Sequence, residues 1–81
     1  PDARVTRALE HLQRGRLDEA AGLLSGVLER APEDADALQL MGMLLRRRGD
    51  AASAERYLRR SLAVAPTQPH VHNNLGNVLL D

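Results

Sequence analysis

The chain repeats itself. Laid over itself at a 34-residue offset, residues 1–34 and 35–68 share nine identities: Asp2/Asp36, Ala3/Ala37, Arg14/Arg48, Gly15/Gly49, Ala20/Ala54, Leu24/Leu58, Leu28/Leu62, Ala31/Ala65 and Pro32/Pro66. The matches include glycine, proline and small alanine positions, the residues that punctuate a backbone. A further copy starts at Pro69, setting Gly76 opposite Gly42 and Leu79 opposite Leu45. A chain with such a period is built from one supersecondary unit, which buries its apolar face against the next copy. The division is 1–34, 35–68 and a truncated 69–81, all within one domain.

Each copy reads as two helices. In the second, acids (Glu33, Asp34, Asp36) open the segment and Arg46, Arg47 and Arg48 close it before Gly49, a charge order that suits the helix dipole. Gly49 serves as a C-terminal cap, and Asp50 caps the next helix, which stops before Pro66. The first copy has the same logic, with Gly15 and Pro32 as its breaks, and a fifth helix is expected from about Pro69 to Leu80. Gly22 and Gly26 fall inside the second helix, where they cost stability unless a tight contact between soluble helices needs them. Tight contact is the expectation, in preference to a membrane-type packing motif.

Composition agrees with an all-α chain. There is no Phe or Trp and a single Tyr, so Leu, Val, Met and Ala must fill the core, and β-branched and aromatic strand formers are scarce. Eleven basic and eleven acidic side chains give no net charge, which argues against nucleic acid or an anionic membrane as partner. Every basic residue is Arg, the usage expected of a GC-rich bacterial genome. Without Cys there is neither a disulfide framework nor a thiolate metal site, and the compartment stays open, with a bacterial cytoplasm as the working assumption. No run approaches the length of a membrane span. The start at Pro1 and the end at Asp81, directly after Asn-Val-Leu-Leu, read as cuts from a longer protein.

These residues resemble the tetratricopeptide repeat family, whose pattern W-x2-L-G-x2-Y…A-x3-F…P recurs every 34 residues. The second copy carries it as Leu38, Met41, Gly42, Leu45, Ala54, Leu58 and Pro66; the third carries the front half as His72, Leu75, Gly76 and Leu79. The first keeps Ala8, Ala20, Leu24 and Pro32, but has Arg4, Arg7 and His11 where large apolar groups are usual. That departure fits a face that meets water at the end of a stack, or one covered by a preceding segment. The resemblance implies an α-solenoid of antiparallel helix pairs, five helices in a right-handed superhelical stack. The first helix of each pair would line a concave groove that holds a peptide.

Carried onto this chain, the groove would take Val5, Leu9 and Gln13 from the first copy and Asp36, Gln39, Met43 and Arg46 or Arg47 from the second. His70, Asn73 and Asn77 would come from the third. One variant of the family grips a partner's C-terminal carboxylates, but the matching positions Val5, Leu9, Leu40, His70 and Asn74 are mostly apolar, so that specificity is not expected. Asn73 and Asn77 stand four apart on one helical face, and an amide can both donate to and accept from a peptide backbone. Similar asparagines line the repeat arm of protein O-glycosyltransferases. His70 and His72 are two apart, off a shared helical face, so no metal site is expected. No nucleophile elbow or phosphate loop is present, and Ser25, Ser53 and Ser61 fall within helical runs as packing or solvent positions. The Arg clusters at 46–48 and at 56, 59 and 60 read as solvated helix ends rather than a phosphate site, with Glu55–Arg59 as an i,i+4 pair.

The reading is a non-catalytic, cofactor-free protein-interaction module that presents Gln39, Met43, Arg46, Asn73 and Asn77 to a peptide or partner protein. The alternative is the substrate-docking arm of a larger bacterial glycosyl- or sulfotransferase, which the coding sequence beyond Asp81 would distinguish. The last helix lacks the partner that copy two supplies, so Leu75, Val78 and Leu79 should drive self-association.

Overall fold

A computed structural model describes residues 3–65 of the chain. Four helices follow one another: α1 (Ala3–Gln13), α2 (Leu17–Arg30), α3 (Ala35–Arg47) and α4 (Ala51–Val64). No strand occurs among the described residues, and the all-α expectation is met there. The expected fifth helix lies outside the described residues, as do His70, His72 and the asparagines.

The two turns that pair the helices are the same device, 34 residues apart. Gly15 has φ +76° and Gly49 φ +85°, conformations that glycine enters without a Cβ penalty. Gly15 N–H donates to the Leu12 carbonyl (3.1 Å) and Arg16 N–H to the His11 carbonyl (2.8 Å). Gly49 and Asp50 repeat this on Arg46 (3.0 Å) and Leu45 (2.9 Å). Each pair of bonds closes a Schellman motif and satisfies carbonyls that the helix end leaves open. The residue after the glycine is at once the N-cap of the next helix. Asp50 fills that role with its carboxylate accepting from Ser53 N–H (3.1 Å), as Asp34 does for α3 from Ala37 N–H (3.0 Å). Arg16, at the equivalent place before α2, makes no side-chain cap bond.

α3 is the central element, packed against α1, α2 and α4. Its buried set, Ala37, Leu38, Leu40, Met41, Gly42 and Leu44, covers most of its circumference, whereas α1 buries only Ala8 and Leu12. The core joins Ala8, Leu12, Ala20, Leu24 and Val27 to α3, and a smaller cluster of Ala54 and Leu58 fills the space between α3 and α4. Full burial of each leucine contributes about 1.5–3 kcal/mol.

Gly42 and Ala54 are small because their helices cross there: a Cβ on Gly42 would come within 3.3 Å of the Ala54 carbonyl and closer still to Leu58. Gly22 and Gly26 differ. A Cβ on Gly22 would meet nothing within 4 Å, and one on Gly26 only the Arg4 guanidinium at 3.3 Å. Among the described residues, the tight helix contact expected at these two glycines is therefore absent; they face open space and one flexible side chain.

Candidate peptide groove

Between α1 and α3 lies an open cleft of about 370 Å³. Val5, Thr6 and Leu9 line it from α1, and Asp36, Gln39, Leu40 and Met43 from α3. The lining has an internal order, because Val5 and Gln39, Thr6 and Leu40, Leu9 and Met43 are pairs at the 34-residue offset. The two first-of-pair helices thus offer the same three positions side by side. Such a volume is at the low end for ligand sites and suits one or two side chains. Leu9 is 37% exposed there, and Val64 (44%) is the other large apolar residue with comparable exposure among those described.

Five of the ten positions assigned to the groove from helix phase are brought together: Val5, Leu9, Asp36, Gln39 and Met43 share the cleft. Gln13 is exposed at the end of α1, beyond the lining, and Arg46 is half-buried in the last turn of α3. Arg47 turns away, its guanidinium donating to the Leu12 carbonyl at the C-terminus of α1. Helix phase left out Thr6 and Leu40, one position on from Val5 and Gln39, although Leu40 stood among the positions matched to the carboxylate-gripping variant. Asn73 and Asn77 lie outside the described residues.

The arginines of the two clusters make contacts within the fold. Arg48 pairs with Asp18 in the first turn of α2, so Arg47 and Arg48 tie the second helix pair to the first. Arg59 pairs with Glu55 at 2.9 Å, as the i,i+4 spacing predicts. Arg56 donates to Ser53 Oγ (2.9 Å), and Arg60 sits 5.2 Å over the Tyr57 ring while donating to the Pro32 carbonyl (3.4 Å). Arg46 is engaged as well. A phosphate would have to compete with all of these contacts. Ser61, fully buried, donates from Oγ to the Ala35 carbonyl at 2.8 Å, fixing α4 against the start of α3.

On α1, Arg7 is exposed while its counterpart Met41 is buried, and Arg4 and His11 are half-buried. His11 Nδ1 is buried without a hydrogen-bond partner among the described residues. Those residues hold no cluster of three His, Cys, Asp or Glu side chains placed for a metal, and no helix among them is long and apolar enough to cross a membrane.

Helix pairs joined by glycine turns, with small residues at the crossing and a cleft between first helices, define a helical-repeat protein. The chain belongs to the tetratricopeptide repeat family, which matches residues 11–80. It is also similar to cellulose synthase 1 operon protein C of Komagataeibacter xylinus, at 39% identity over 57 residues. That stretch is 70% of this chain and 4% of the length of that protein. Domains of this family generally bind other proteins.

Proposed function

We propose that the chain is a non-catalytic module that holds a peptide or a partner's surface in the groove between first-of-pair helices. The observation that carries this reading is the lining of the α1–α3 cleft by matched positions of the two copies. A groove built by repetition extends with each added copy, and residues 69–81 would add Asn73 and Asn77 beside Gln39, Met43 and Arg46. In this reading the copies are 1–34, 35–68 and 69–81, stacked as a right-handed superhelix. Rigid helices present the groove residues without further ordering cost. Leu75, Val78 and Leu79 supply an apolar surface for a second copy of the chain.

The test begins with the tagged chain as bait and mass spectrometry of what it captures. Calorimetry then measures a captured partner against Leu9→Glu with Met43→Glu, and against Asn73→Ala with Asn77→Ala. Both double variants should lose at least tenfold in affinity. A partner that binds them and the parent chain equally well would sink the assignment. Sedimentation independent of concentration would remove the self-association.

A further inference from the structure

Resting on the groove reading, we infer that the α1–α3 cleft selects a large apolar side chain flanked in the partner by Lys or Arg. Val5, Leu9, Leu40 and Met43 give the cleft an apolar lining, and a Met thioether adapts to side chains of varied shape. Thr6 and Gln39 supply hydrogen-bonding groups able to meet a peptide backbone. Among the described residues of the lining, Asp36 is the charged one.

Its carboxylate is exposed and makes no hydrogen bond or ion pair among the described residues. Other aspartates are committed: Asp34 to Ala37 N–H, Asp50 to Ser53 N–H and Asp18 to Arg48. The Asp34 cap matters most here, because it already answers the positive end of α3. Asp36 also lies in the first turn of α3, where it suits the helix dipole, and its exposed carboxylate remains open to a group arriving from outside. A cation next to an apolar side chain meets both features at once, whereas an acidic neighbour would be repelled at the same atom.

Methyl and amide NMR of the 81-residue chain tests this with acetyl-Ala-Lys-Leu-Ala-amide, acetyl-Ala-Glu-Leu-Ala-amide and acetyl-Ala-Lys-Ser-Ala-amide. The Lys-Leu peptide should move the Leu9, Leu40 and Met43 methyl signals and bind about three- to tenfold more tightly than the Glu-Leu peptide at low salt. In Asp36→Asn that preference should vanish while the methyl shifts persist, and the Lys-Ser peptide should leave the methyls unmoved. Entry of Lys-Leu and Glu-Leu peptides with equal affinity overturns the inference, as does a preference that survives Asp36→Asn, and both leave the groove reading standing. Absence of any methyl shift also overturns it; the groove reading then depends on the captured partner and the Leu9 and Met43 substitutions alone.

Discussion

A Cβ placed on Gly42 would lie 2.6 Å from Leu58 Cγ and 2.7 Å from its Cδ2, closer than real side chains approach. Leu58 is fully buried and cannot swing out of the way without opening the α3–α4 contact. Gly42→Ala should therefore cost about 1–3 kcal/mol despite alanine's better helix propensity. Urea unfolding monitored by circular dichroism measures it; a stability equal to or above the parent's would show that the crossing can relax.

Gly22 gives the opposite sign. It lies within α2 with open space where a side chain would go, so Gly22→Ala gains helix propensity without a clash. The expected change is a stabilisation of about 0.5–1 kcal/mol in the same unfolding experiment. A loss would mean that the site is covered in solution.

What the sequence made legible follows the range of the interactions. Gly15, Gly49, Asp34 and Asp50 act on backbone within five residues of themselves, so local rules placed the four described helices and the caps at Gly49 and Asp50. The cleft was legible in part because helix phase is also local: Val5 and Leu9, or Gln39 and Met43, share a face whatever the helix packs against. Contacts of Arg47 with Leu12, Arg48 with Asp18 and Ser61 with Ala35 span 26 to 35 residues of sequence. They depend on how the pairs stack, and nothing in a run of arginines says which one reaches the preceding helix pair. Gly22 and Gly26 were misread for the same reason, since spacing alone does not say whether a neighbouring helix is there.

Arg47 and Arg48 should separate in stability. The bond from Arg47 to the Leu12 carbonyl is partly buried and ends a helix, whereas Arg48 meets a carboxylate whose side chain is 95% exposed. Arg47→Met should cost about 1 kcal/mol, and Arg48→Met no more than a few tenths. Only the Arg48 effect should fade in high salt. Equal losses, both removed by salt, would show that Arg47 acts merely as surface charge.

Asp50 ties the α3–α4 turn to pH. The Ser53 backbone N–H, with smaller help from the Ser53 hydroxyl and the Arg56 charge, holds its carboxyl below the ordinary aspartate value of 3.8. A depressed folded-state value means that the ionised cap stabilises fully above that ordinary value. The contribution then fades as pH falls through the folded value. Asp50→Asn keeps a capping side chain but removes the titration. Its stability difference from the parent chain should be constant from pH 7 to about 5 and shrink toward pH 2. A difference that does not change across this range would show that the charge contributes nothing.

Arg16 is the cap that the first copy lacks. Its backbone, φ −87° and ψ 73°, nearly matches that of Asp50 at φ −97° and ψ 75°, so the turn is already set for a capping side chain. An aspartate there would place its carboxylate near Glu19 N–H, the position that Ser53 N–H holds in the second copy. It would also put a negative charge at the positive end of α2. Asp18 and Glu19 already occupy that first turn, and their repulsion offsets part of the gain. Arg16→Asp should still stabilise the chain by about 0.5–1 kcal/mol, raising the urea midpoint at an unchanged slope. A lower midpoint would mean that charge repulsion in this turn outweighs the hydrogen bond that the second copy uses.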